Sequence, residues 1–294
     1  MKKSMLFFLL LSSSIIFSQA LHPLEPITSH YKEFQKLSAT PNQERAMLDT
    51  VSYLPSNYGA VAILYTMLSP VYLTKNQIDT LKNSVAYPAN SSDQTKAELD
   101  FLLNWEQNRT KAQEVRAAEV LAPVGYWPHI GVMKNHLDYE KNRQHLFFEG
   151  NTVIGNACTP ENYPATAKLL EGITTDMRIM EFTVKYHLLR PRPYYLQPTL
   201  KPLAIMSSPS FASGHTLWAY IHAFAWSELI PTKRKQFLAL AYEIGESREI
   251  MGIHYPSDDE ASRMLAHSML AEMWSNPNFK NDLTAAQLEW ENQE

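Results

Sequence analysis

Ten residues in the last third of this 294-residue chain have the types and spacing to surround a tetrahedral oxyanion. They fall in three segments: Lys185, Arg192 and Pro193 in KYHLLRPRP, Ser213, Gly214 and His215 in SFASGHT, and Ser247, Arg248, His254 and Asp258 in SREIMGIHYPSD. Lys185, Arg192 and Arg248 are fixed cations; an arginine fork offers paired donors to two phosphate oxygens, and a lysine adds a point charge. Two imidazoles and a carboxylate complete what phosphoryl transfer through a histidine needs: a nucleophile, an acid–base partner and an orienting anion. Arg190, in the same RPRP stretch, is a further candidate to meet the anion.

The elements that must position these groups are legible in part. Ser213 is a good N-cap for the helical run TLWAYIHAFAWSEL, which puts the Gly214 and His215 amides at a helix N-terminus, where free donors and the helix dipole favour an anion. Asp258 can accept the Nδ1 proton of His254 and leave Nε2 exposed, and Asp259 is the alternative partner. Ser257 to Glu260 also reads as a capping box that opens a helix. Pro191 and Pro193 must end the helix carrying Lys185, because neither can continue the hydrogen-bond ladder.

Glycine is scarce, at nine residues, and apolar residues recur at three- and four-residue spacing, so the chain reads as all-α. Helices are predicted over 41–53, 58–70, 75–85, 93–119, 162–189, 213–229, 232–249 and 257–274. The stretch 120–161 is expected to be the least helical, a loop over the site or a hinge. A single large helical domain over 21–294 is expected, with N-terminal helices and loop over 21–160 and the catalytic core over 161–275.

Residues 1–20 carry Lys2 and Lys3, an apolar run from Met5 to Leu11 and a small-residue end at Ser18-Gln19-Ala20, which reads as a cleaved signal peptide for a periplasmic or secreted protein. Downstream, the longest apolar run, LWAYIHAFAW, is about half of what a bilayer crossing takes, so no transmembrane segment is expected after cleavage. A net charge of −4 with no basic run argues against nucleic acid as the main partner and for a small molecule, and leaves a homo-oligomer open. Cys158, the only cysteine, is expected to be a buried inert thiol. No metal or other cofactor is called for: metal phosphatases gather carboxylates to hold cations, whereas this set gathers cations to hold the anion.

The patterns K-x6-R-P, S-G-H and S-R-x5-H-x3-D resemble the three signature segments of the phosphatidic-acid phosphatase type 2 superfamily. Within it the chain is similar to the bacterial class A non-specific acid phosphatases, which are exported, helical and of similar length. The motifs span 185 to 258, about a quarter of the chain, and the one departure is Ala212 where that family usually has proline.

The resemblance implies a helical bundle of the acid phosphatase and vanadium haloperoxidase type, and a metal-independent phosphatase acting on a small-molecule phosphate ester. His254 would attack phosphorus, His215 would protonate the leaving oxygen and later activate water, and Asp258 would orient His254. Lys185, Arg192, Ser213, Gly214 and Arg248 would hold the phosphate oxygens. With His215 protonated at the start, turnover would peak around pH 5 to 7. The alternatives are a phosphatase specific for a lipid phosphate or diphosphate, a vanadium-dependent haloperoxidase and a phosphate-binding protein. Tyr126, Trp127, Tyr194 and Tyr195 are candidates to stack on an aromatic leaving group.

Overall fold

A computed structural model describes residues 21–26, 29–54, 64–125 and 139–291, and within them every labelled element is a helix. The predicted signal segment, and Tyr126 and Trp127, lie outside the described residues. In chain order the α-helices are α1 (Ser29–Phe34), α2 (Lys75–Asn83), α3 (Asp93–Asn108), α4 (Lys111–Val115), α5 (Ala122–Gly125), α6 (Tyr139–Arg143) and α7 (Phe148–Val153). They continue with α8 (Pro164–Leu188), α9 (Pro193–Leu196), α10 (Gly214–Leu229), α11 (Arg234–Ile250), α12 (Pro256–Met273) and α13 (Pro277–Glu291).

Every residue of α10 is buried. Its sequence GHTLWAYIHAFAWSEL has no polar stripe, and a helix that is apolar all round is stable only when surrounded. Helices α8, α11 and α12 pack along it, and one cluster of buried apolar side chains runs from Tyr72 to Trp290. The N-terminus of α10 is thereby pinned between the ends of α8, α11 and α12, which carry the other two motif segments. No helix among the described residues is long and apolar enough to cross a membrane.

The structure differs from the sequence expectation in several places. The predicted helix over 93–119 divides at Arg109, which is extended (φ −61°, ψ 135°); α4 restarts behind a Thr110–Gln113 capping box, followed by a π-helical turn over Arg116–Leu121. Arg109 is drawn to the carbonyls of Ile250 (2.9 Å) and Lys201 (3.2 Å), which helps to fix the break. The predicted helix over 41–53 is a 3₁₀ stretch, Gln43–Thr50; of the one predicted over 58–70, residues 58–63 lie outside the described residues and 64–66 are helical.

The stretch 120–161 is more than a loop: it contains α5, α6 and α7 and sends Leu146, Phe147 and Cys158 into the core. Gly150 there permits close packing rather than bending, since a Cβ on it would lie 2.5 Å from the Cys158 sulfur. Helices α1 and α13 were not foreseen. Phe279, Leu283, Ala286 and Trp290 bury one face of α13; Trp290 stacks on Tyr163 at 3.9 Å, and Glu289 accepts from the Ala165 and Thr166 amides at 2.7 and 2.8 Å. Packing around α8 therefore extends past residue 275, the expected end of the core.

A second buried carboxylate fixes the other side of α8. Asp176 accepts the amides of Val71, Tyr72 and Leu73 at 2.5, 2.8 and 2.7 Å, and so ties the segment before α2 to α8. Burial pushes this carboxyl up to about 6, against the pull of the three amides. Replacing Asp176 by alanine strands buried donors, so Asp176→Ala is expected to lower unfolding stability by about 2–4 kcal/mol. Urea melts of the two proteins measure this; equal midpoints would show that these three bonds contribute nothing net.

Candidate active site

Helix α8 ends where the prolines require. Leu189 adopts the left-handed conformation (φ 51°, ψ 33°), its amide bonding back to the Lys185 carbonyl, and Pro193 opens the short α9 with Arg192 as its N-cap. Lys185, in the last turn of α8, is 1% exposed. Its ammonium donates to the carbonyls of Pro209 (2.9 Å), Ser210 (3.2 Å) and Ala212 (2.5 Å), the loop that delivers Ser213 to α10. Arg192 reaches further: Nε donates to the Ser208 carbonyl (2.9 Å), and one terminal nitrogen donates to the Ile253 carbonyl (2.8 Å). The first motif segment thus holds the other two in place through its cations.

Ser213 caps α10, its buried Oγ accepting the Thr216 amide at 3.4 Å. Gly214 lets the Glu181 carboxylate approach closely: a Cβ there would lie 2.0 Å from one of its oxygens, so a larger residue would have to displace that side chain. His215 Nε2 lies 2.8 Å from the Ala122 carbonyl; a carbonyl only accepts, so the proton sits on Nε2. Arg248, in the last turn of α11, donates to the Ala117 carbonyl at 2.8 Å and to Ser247 Oγ at 2.7 Å. The segment from α4 to α5 therefore forms a wall of the site, touching both His215 and Arg248.

After the turn at Gly252 (φ 69°), His254 stands just before α12 and Asp258 in its first turn. His254 Nδ1 meets Asp258 Oδ2 at 3.0 Å, and a terminal nitrogen of Arg192 lies 2.8 Å from Nε2. A guanidinium can only donate, so Nε2 carries the lone pair and Nδ1 the proton. Asp259, the alternative partner, faces the other way and accepts from Thr216 Oγ1. Helix α12 begins at Pro256 rather than at a Ser257 cap, and Ser257 gives its amide and hydroxyl to Glu98 instead (3.1 and 2.8 Å).

Electrostatics in this closed space follow burial and proximity. Burial, and then the field of Arg192, hold His254 well below its ordinary value; burial and Arg248 do the same to His215. Both shifts favour the neutral imidazole in the free site, against the expectation of a His215 protonated from the start. Burial and Arg192 bring Lys185 down to about 7. Asp258 is buried, which alone would raise its carboxyl, yet Arg190 and His254 beside it hold it below the usual carboxylate range.

Lys185, Arg192, Ser213, Gly214, His215, Arg248, His254 and Asp258 are thus brought together, while Arg190 is not part of the cage: it turns behind Asp258 (2.7 Å). Other site groups were missed. Ser210 Oγ donates to Asp258 Oδ2 at 2.5 Å, and Ser208 Oγ accepts from Arg192 at 3.1 Å. Arg178 lies two turns before Lys185 on the same face of α8, paired with Glu181 at 2.6 Å, and its field reaches both Lys185 and His215. That seven-residue spacing was a usable signal; nothing in the order of residues marked Ser208, Ser210 or Glu98.

Tyr194 uses its hydroxyl to accept the Met206 amide (3.0 Å), and Tyr195 leans on it with ring centroids 4.9 Å apart. Cys158 is a buried free thiol, pushed up to about 12 by burial and the nearby Glu149. Among the described residues no three His, Cys, Asp or Glu side chains are grouped to hold a metal ion.

Comparison with known proteins agrees with this geometry. The PAP2 superfamily model matches residues 165–282. Over 143 residues the chain is 31% identical to a non-specific acid phosphatase of Providencia stuartii, covering 47% of this chain and 58% of the relative. Over 137 residues it is 28% identical to a non-specific acid phosphatase of Salmonella typhimurium, covering 45% and 55%. The chain thus spans a little over half the length of these curated relatives. Among solved structures, a bacterial vanadium-dependent iodoperoxidase is similar over 65% of this chain and 51% of its own, at 14% identity and a TM-score of 0.45. A transmembrane PAP2-type phosphatidylglycerolphosphate phosphatase from Bacillus subtilis is similar over 66% and 90%, at 20% identity and a TM-score of 0.38. The matched span, which is similar to the PAP2 superfamily, holds every motif residue from Lys185 to Asp258.

Proposed function

We propose that this chain is an exported, metal-independent acid phosphatase that hydrolyses phosphate monoesters through a phosphohistidine on His254. One observation carries the reading most: His254 is held with its proton on Nδ1, against Asp258, and its Nε2 lone pair toward buried cations. A structural histidine has no need of that tautomer beside a guanidinium. The relatives' name, non-specific acid phosphatase, supports the same reaction class, and the sequence of residues 2–20 supports export.

In the proposed reaction the phosphate sits among Lys185, Arg192, Arg248, the Ser213 hydroxyl and the Gly214 amide, and Arg192 transfers its donor from Nε2 to a phosphate oxygen. The Nε2 lone pair forms the N–P bond as the ester P–O bond breaks, and the leaving oxygen takes a proton from His215. His215, then neutral, removes a proton from water, whose oxygen displaces Nε2 and releases phosphate. Fixed donors around the equatorial oxygens stabilise charge as it builds, each contributing about 10²- to 10³-fold in rate. Because free His215 is neutral, its proton enters with the substrate. A phosphate ester with a second pKa of about 6 binds in part as the monoanion, and the bound charge offsets the field of Arg248.

Two measurements test this. Purified protein is expected to release phosphate from para-nitrophenyl phosphate in EDTA near pH 6, and His254→Ala to lose at least about 10³-fold. Activity abolished by EDTA and restored by a divalent ion would falsify the metal-independent mechanism.

The second concerns Lys185. Its charge is present below about 7 and lost as pH rises through that value, so the grip of the cage on a dianion should weaken there. The inhibition constant of tungstate, whose charge does not change in this range, is expected to rise up to about tenfold per pH unit above 7. A constant value from pH 6 to 9 would remove Lys185 from the cage.

A further inference from the structure

Arg190 is fully buried and stands outside the cage, one proline away from Arg192. One terminal nitrogen donates to Asp258 Oδ1 at 2.7 Å and to Ser257 Oγ at 2.8 Å; the other reaches Glu98 Oε2 at 3.4 Å. The guanidinium lies over the Tyr255 ring, 3.7 Å from its centroid, with the Tyr87 ring at 4.9 Å. Glu98, buried on α3, is held by the Ser257 amide and hydroxyl and by Gln94 (3.3 Å). From the interior toward the cage the groups alternate: Glu98, Arg190, Asp258, His254.

Burying an arginine is costly, and an apolar residue could fill the same space more cheaply if packing were all that mattered. What Arg190 alone supplies is a hold on one oxygen of Asp258. The two oxygens have divided partners: Oδ1 receives Arg190, while Oδ2 receives Ser210 Oγ, His254 Nδ1 and the Tyr255 amide (3.2 Å). A carboxylate held on Oδ1 cannot rotate Oδ2 away from the imidazole.

We propose that Arg190, anchored by Glu98 and stacked on Tyr255, is a positioning residue for His254: it locks Asp258 so that Nδ1 keeps its proton and the Nε2 lone pair faces the cage. The proposal rests on His254 as the nucleophile for its kinetic consequence, and on geometry alone for its consequence at the imidazole. The titratable and charged groups facing the Asp258–His254 pair are Arg190, Arg192 and Lys185 from α8 and the segment after it, Glu98 from α3, His215 from α10, Asp259 from α12, and the Tyr87 and Tyr255 hydroxyls. Without Arg190, Asp258 is left uncompensated and its pair with His254 attracts a proton more strongly.

The test uses the full chain with Arg190→Gln and Arg190→Lys, both checked for fold by circular dichroism and melting. Nitrogen-15 imidazole spectra report the His254 ring, whose signals are identified by their loss in His254→Ala. The wild-type ring is expected to stay neutral and Nδ1-protonated between pH 5 and 8. In Arg190→Gln the His254 titration should move up by about one pH unit or more, with the acid limb of kcat/KM moving alongside. Its kcat should fall about 10²-fold with little change in KM. Arg190→Lys keeps the buried charge, and so tests the idea even if the glutamine variant does not fold. A lysine cannot hold Asp258 and Ser257 while stacking on Tyr255, so kcat should fall about tenfold, a partial rescue relative to glutamine.

A folded Arg190→Gln with an unmoved His254 titration and acid limb overturns the proposal, as does full kcat in Arg190→Lys with an unchanged imidazole signal. If the wild type has no phosphatase activity, the functional reading fails, and the imidazole spectra still decide the role of Arg190.

Discussion

Buried cations gathered at one point repel one another, and the fold must hold that cluster together in a dry interior. Lys185, Arg190, Arg192 and Arg248 are each 1% exposed or less, a burial such residues rarely reach unpaired. The solution here is uneven. Lys185, Arg192 and Arg248 donate to backbone carbonyls, those of Pro209, Ser210 and Ala212, of Ser208 and Ile253, and of Ala117, which screen a cation without cancelling it. Arg178 and Arg190 face carboxylates, Glu181, Asp258 and Glu98. Backbone carbonyls thus accept from Lys185, Arg192 and Arg248, while Arg190 behind them meets carboxylates on two sides.

That division explains the helical arrangement. Most of these carbonyls, those of Ser208, Pro209, Ser210, Ala212 and Ile253, come from loops, where they are not consumed by a helical ladder, and lie near the ends of α8, α10, α11 and α12. Helix α10, without a polar stripe, anchors the arrangement by being surrounded, and its N-terminus lies at the same end. The break at Arg109 and the π-helical turn after it bring the Ala117 and Ala122 carbonyls to Arg248 and His215.

The same field sets the protonation states. Cations and burial keep His254 and His215 neutral, and Asp258 holds the one proton that matters on Nδ1. A neutral imidazole with its proton on Nδ1 leaves a lone pair on Nε2 of His254. Arg190 directs its own charge to Asp258 and Glu98.

Much of this was legible in the residues alone. Spacing within one segment is set by local geometry, so His254 and Asp258, four apart, and the Ser213 cap before α10 could be assigned from order and type. The end of α8 at the prolines followed from the missing amide of proline. What order left open was settled at long range: Asp259 turns to Thr216, and Arg190 turns to Asp258 and Glu98 while Arg192 meets the Ser208 and Ile253 carbonyls. Helix α13 and the broken helix after Asn108 were decided by partners at long range, Glu289 on α8 and Arg109 on Ile250. The sequence by itself determined which chemical groups were available and the local helices that carry them. Only the tertiary structure decided which cation meets backbone carbonyls and which meets a carboxylate, because burial makes each charge answer to whatever lies within a few ångströms, regardless of its distance along the chain.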